Sequence, residues 1–153
     1  MYKTVLLCYD GSSEGRKALR EGAALARVMG SETYLLAVCR NLVAATPPEG
    51  MSAALVESEE SAARAILNEG VRRLVEAGIK AQGALLIGDP LMHIPSFATK
   101  IGADLIVIGH REQGLLARLW SGSVGQQLIA HAPCSVLIAV TPSAASRRAS
   151  AAA

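Results

Sequence analysis

Apolar positions along this chain fall into two alternating rhythms. Short runs in which most positions are apolar occur at Thr4–Tyr9, Thr33–Cys39, Lys80–Ile87, Asp104–Ile108 and Ser135–Val140. A strand open to water on one face alternates apolar with polar residues, so these runs predict strands covered on both faces. Between them the apolar residues recur every three or four positions. Glu14–Met29 carries Ala18, Leu19, Ala23, Leu25, Ala26 and Val28 with Arg16, Lys17, Arg20, Glu21 and Arg27 between them. That spacing predicts a helix, opened by a Ser or Asp cap and closed by Gly30. Ser52–Ala77 places Leu55, Ala62, Ile66, Val71 and Val75 on one side of a longer helix, which Gly70 is expected to weaken and Gly78 to end. Leu91–Ile101 predicts a third helix with Pro95 in its first turn, and Ser123–His131 a short fourth. Arg40–Gly50, which holds Pro47–Pro48 and no periodicity, reads as a loop beside a site. Strands alternating with helices imply right-handed crossovers, hence an α/β fold with a parallel sheet and helices on both faces.

Composition narrows what such a fold does. The chain has 153 residues, enough for one domain, and the reading is residues 1–142 as that domain with 143–153 as a disordered Ser/Ala tail. Hydrophobic residues reach 51% but aromatics only 3%, so the core is expected to be aliphatic and a base-stacking platform is disfavoured. The net charge is +2, and setting aside Arg147 and Arg148 in the tail leaves 13 basic against 13 acidic residues. Neither nucleic acid nor an anionic membrane is implied as a partner. No apolar run approaches the roughly 18 residues of a spanning helix. The three cysteines, Cys8, Cys39 and Cys134, are odd in number and far apart, showing neither a disulfide framework nor a zinc pattern. Reducing cytoplasm is the expected compartment.

In open parallel sheets ligands bind at the carboxyl ends of strands, where strand order reverses. Two segments are predicted to collect there: Asp10-Gly11-Ser12 after the first strand, and the stretch after the fourth, from Gly109-His110-Arg111-Glu112 to Gly122-Ser123-Val124. Glycines admit close backbone approach, and a helix start offers free N–H groups to an anion. Gly122-Ser123 reads either as a plain helix cap or as an anion cradle, and Asp10 either as a cap or as a ligand group. Neither a P-loop nor a Gly-x-Gly-x-x-Gly fingerprint is present.

Together, Tyr9-Asp10-Gly11-Ser12, Gly88-Asp89-Pro90, Gly102–Gly109, Gly122-Ser123-Val124 and His131–Ile138 resemble the universal stress protein family in order and spacing. The resemblance covers Tyr2 to about Thr141 and implies a three-layer, doubly wound, Rossmann-like sheet of five parallel strands in the order 3-2-1-4-5. It also implies a cytoplasmic stress-response homodimer joined through its last strand, Val136–Val140, an apolar edge that needs cover. The family's nucleotide-binding branch holds ATP through Gly-x-x-Gly, nine residues, then Gly-Ser/Thr. Mapped here, the first glycine is Gly109, the last pair is Gly122-Ser123, and Glu112 stands where the second glycine belongs. By the same resemblance Asp10 lies by the ribose and the Val38 backbone by the adenine, while the N–H groups of Gly122, Ser123 and Val124 meet phosphates; Arg111, His110 and Arg118, if they point inward, would offset the charge of Glu112. Glu112 adds a negative charge and a side chain near phosphate. Its readings are a weakened ATP or ADP site, a residue turned to solvent, a holder of Mg2+, or a branch that binds no nucleotide and acts as a dimeric interaction module. No nucleophile–base pair stands out, so slow ATP hydrolysis is the most enzymatic reading available.

Overall fold

A computed structural model describes residues 1–39, 53–110 and 128–140. In chain order the elements are β1 (Thr4–Cys8), α1 (Ser13–Met29), β2 (Glu32–Cys39), α2 (Ala53–Glu76), β3 (Ala81–Ile87), α3 (Pro90–Ile101), β4 (Leu105–His110) and β5 (Ser135–Val140). A helical turn at 128–131 precedes β5.

The five strands form one parallel sheet in the order β3-β2-β1-β4-β5. Central β1 is covered on both faces, as its unbroken apolar run requires: Val5, Leu6 and Leu7 are at most 1% exposed. Val5, Leu7 and Tyr9 pack with α1 and α2, while Leu6 and Cys8 pack on the other face with Ile94 and Ala98 of α3. Both core layers are built almost wholly of Leu, Ile, Val and Ala, as the low aromatic content demands.

Helix ends follow the local signals, with two corrections. Ser12 caps α1, its Oγ accepting from Gly15 N, and left-handed Gly30 closes the helix with its N–H on the Ala26 and Arg27 carbonyls. Asp89 caps α3 by accepting from Leu91 N at 3.0 Å, and Pro90 occupies the first helical positions. The first correction follows: because α3 starts at Pro90, Pro95 lies beyond its first turn and forgoes an interior hydrogen bond. The second concerns Gly70, which is more than a weak point in α2. A Cβ there would stand 2.6 Å from Leu35 Cδ2 and 2.8 Å from Tyr9 Cδ1, so the missing side chain lets α2 lie close on the sheet.

Cys8 and Cys39 lie on neighbouring strands but cannot pair. Cys8 is in register with Leu36, three residues short of Cys39, which separates the two by roughly 10 Å along the strands, beyond the roughly 7 Å limit of a disulfide. Their side chains also diverge: Cys8 packs beneath α3, whereas Cys39 Sγ donates to the Glu59 carbonyl of α2 at 3.9 Å. Burial pushes the Cys8 thiol up to about 12.

Candidate functional site

Strand order reverses between β1 and β4: the chain leaves β1 toward β2 on one side and later returns to β4 on the other. The crevice at the carboxyl ends of these two strands is therefore where a ligand meets loops rather than helices. Register brings three of the sequence-predicted residues to this rim. Cys8 pairs with Leu36 and Leu7 with Val107, so Asp10, Val38 and Gly109 each extend two residues past a paired position.

The turn after β1 is tightly organised. Tyr9 N donates to Leu36 O at 3.0 Å, keeping the chain beside β2 for one more residue. Gly11 then takes φ +75°, a left-handed conformation that swings the chain into α1 beneath Ile66. Ser12 N at 3.0 Å and Ser12 Oγ at 2.5 Å both donate to Asp10 Oδ1, and Ser12 Oγ in turn accepts from Gly15 N at 2.9 Å. The structure thus decides between the two possible caps: Ser12 caps α1, and Asp10 orients Ser12. One carboxylate oxygen of Asp10 is consumed by this relay. Oδ2 receives no hydrogen bond among the described residues, and Asp10 is half-buried, so an acceptor is left over in the turn before the α1 N-terminus.

Gly109 approaches α1 from the β4 side. A Cβ on it would lie 2.7 Å from the Glu14 carbonyl oxygen and 3.1 Å from Gly15 N. Glycine is needed here for the first turn of α1 to sit against the end of β4, a packing reason that holds with or without a ligand. Val38 is half-buried at the end of β2, in register with Leu86 of β3. Arg111, Gly122, Ser123 and Val124 lie outside the described residues, as do Glu112, the Arg40–Gly50 loop and the 143–153 tail.

One cluster beside the rim escaped the sequence reading. Glu69 of α2 accepts from Arg16 Nε of α1 at 3.1 Å and from Arg73 Nε at 2.9 Å, tying the two helices together. Arg16 first, then Arg73, holds the Glu69 carboxyl far below its ordinary range, at about 2. The Tyr9 hydroxyl sits buried beside Arg16 and Glu69 without a hydrogen bond of ordinary geometry, and burial raises its pKa. Glu69 and Arg73 are visible in sequence as an i,i+4 pair on one helix. Arg16 is 53 residues away from Glu69, and only the packing of α1 against α2 joins them. A second polar group, Glu59 Oε2, is also buried without a partner, on the α2 residue whose carbonyl receives Cys39. Among the described residues no group of three or more His, Cys, Asp or Glu side chains could hold a metal ion, and no helix is long and apolar enough to cross a membrane.

Comparison with known proteins agrees with this architecture. The sequence profile of the universal stress protein family matches residues 1–140. A universal stress protein of Thermus aquaticus is 33% identical over 142 residues, spanning 90% of this chain and 98% of its own. A universal stress protein family structure from Burkholderia pseudomallei superposes with a TM-score of 0.72 at 25% identity, over 90% of this chain and 95% of that one. A universal stress protein solved in complex with cAMP superposes with a TM-score of 0.67, also at 25% identity, over 90% of this chain and 96% of its own.

Proposed function

This chain belongs to the universal stress protein family, and from that premise we propose that it binds an adenine nucleotide, ATP or ADP, as a regulatory ligand at the carboxyl rim of β1 and β4. The observation that carries this reading is Asp10: one oxygen is anchored by Ser12, and Oδ2 remains an acceptor at the switch point. A ribose hydroxyl is a donor of the matching kind. The similar protein bound to cAMP supports an adenine nucleotide as the ligand class. Val38 would present backbone groups to the adenine edge. Gly109 and Arg111 would flank the phosphates, and the N–H groups of Gly122, Ser123 and Val124 would receive them. Any Mg2+ would arrive with the nucleotide.

Regulation requires that the nucleotide favour one arrangement of the protein over another. In this reading the protein is a cytoplasmic stress-response homodimer, its residues 1–142 forming one domain. β5 is the edge strand through which two copies would join, and its last residue, Val140, is 53% exposed. Two observations favour a second reading, an interaction module that binds no nucleotide. Glu112 stands at the second glycine of the phosphate motif, and the packing of Gly109 on α1 explains that glycine without a phosphate. A carboxylate about 4 Å from a phosphate, at an effective dielectric near 20, costs roughly 4 kcal/mol. Half of that lowers affinity more than about tenfold.

Calorimetric titration with ATP and Mg2+, run on the native chain and on Glu112→Gly, tests both readings. Micromolar binding by the native chain, weakened by Asp10→Ala, is the expected outcome. Binding by Glu112→Gly alone would move the interaction-module reading ahead. If neither protein binds, the rim is not a nucleotide site.

A further inference from the structure

A groove of about 270 Å³ runs between α1 and α2 on the outer surface. Its floor is apolar: the exposed Ala24 and Ala77 line it together with Leu19, Ala23 and Leu74, which are buried. Val28, one turn beyond Ala24 on α1, is 82% exposed. The walls are basic. Among the described residues Arg16, Arg20, Arg27 and Arg73 line the groove against one carboxylate, Glu76, which pairs with Arg72 at 3.9 Å. Arg16 and Arg73 are committed to Glu69. Arg20 and Arg27 are exposed and form no ion pair among the described residues.

We propose that this groove docks an acidic, amphipathic helical segment of a partner protein. Arg20 and Arg27 share one face of α1, seven residues apart, which places them roughly 10 Å from each other along the helix. Two carboxylates held at that same spacing pair each guanidinium separately, which a single small anion can do only by drawing both side chains together. A helix lying along the groove and carrying Asp or Glu at positions i and i+7 reaches both, because its own rise matches. Its apolar residues between those positions would rest on the alanine floor. A nucleic acid is a poorer match, since among the described residues the groove lining has no aromatic side chain on which bases could stack. A membrane is also a poorer match, because the exposed part of the floor is made of alanines rather than large apolar side chains.

The test is selection of a phage-displayed random 16-residue peptide library on the full chain, with counter-selection on the Arg20→Glu/Arg27→Glu double variant. Circular dichroism checks that the variant is folded, and both side chains are exposed and form no ion pair among the described residues, so the fold is expected to persist. Enrichment of peptides with acidic residues about two helical turns apart and apolar residues between supports the proposal. Fluorescence anisotropy should then show those peptides binding at least tenfold more weakly to the double variant. Binding to Arg20→Lys/Arg27→Lys should be partly retained, since charge survives and the bidentate fork does not. No enrichment, enrichment without acidic residues, or equal affinity for the double variant overturns the proposal. It is equally overturned if phosphatidylserine vesicles or a single-stranded oligonucleotide, and not the peptides, lose binding in the double variant. ATP titration of the same variant keeps this question apart from the nucleotide site, because neither arginine lies at the rim.

Discussion

Replacing Gly109 by alanine puts the packing of the rim to a direct test. Gly109 does not have positive φ, so alanine can adopt its backbone without strain. In the unfolded chain alanine is the stiffer residue, which by itself would stabilise the protein by about 0.4–1 kcal/mol. Against this stands the contact. The new Cβ would lie 2.7 Å from the Glu14 carbonyl oxygen and 2.9 Å from its carbon, where ordinary contact begins at 3.4 Å. Both obstacles are backbone atoms in the first turn of α1, so no rotamer change relieves them. Either α1 or the end of β4 must move by roughly 0.7 Å, and overpacking of this kind costs about 1–3 kcal/mol. The contact wins, and Gly109→Ala should lower stability by about 1–2 kcal/mol. Urea unfolding of the ligand-free protein should show the midpoint falling by about 0.5–1 M with an unchanged slope. A midpoint equal to or above that of the native chain would refute the close approach of β4 to α1. If stability stays and only nucleotide affinity falls, Gly109 is present for the ligand rather than for the helix.

Three further outcomes follow from named contacts. Ser12→Ala removes the α1 cap and the anchor of Asp10, so thermal unfolding should show a loss of about 1 kcal/mol, with weaker nucleotide binding in the same titration if Asp10 contacts the ribose. The Glu69 carboxyl titrates at about 2 when folded against an ordinary 4.5, so its pairing stabilises the fold above pH 4.5 and is lost as pH falls toward 2. Acid titration of stability should therefore be shallower across that window for Glu69→Gln than for the native chain. Burial that pushes the Cys8 thiol up to about 12 should leave it unreactive to a disulfide reagent at neutral pH until the protein unfolds. Labelling of Cys8 in the folded protein, read by mass spectrometry, would contradict its place beneath α3.

Much of the fold is legible in the chain because its signals are local. An unbroken apolar run such as Thr4–Cys8, too short for a helix, fits a strand buried on both faces, and a Ser or Asp cap together with Gly30 marks both ends of α1 in the sequence. Part of the site is legible for the same reason: Asp10-Gly11-Ser12 follows the first strand, and the parallel topology sends it to the carboxyl rim.

The sequence by itself therefore determined the element types, the glycine that closes α1 and the strand ends at which ligand groups collect, since each depends on residues near one another in the chain. The choice between Ser12 and Asp10 as the cap is local as well, yet it needed coordinates, because both readings use the same short turn and only the relay closed at 2.5 Å separates them. Tertiary packing alone gave Gly70 and Gly109 their purpose, joined Arg16 to Glu69 across 53 residues, and set Cys8 and Cys39 on opposite faces of the sheet. Each of these is a distance between elements, and the periodicity of a single element carries no information about what another brings to within 3 Å of it.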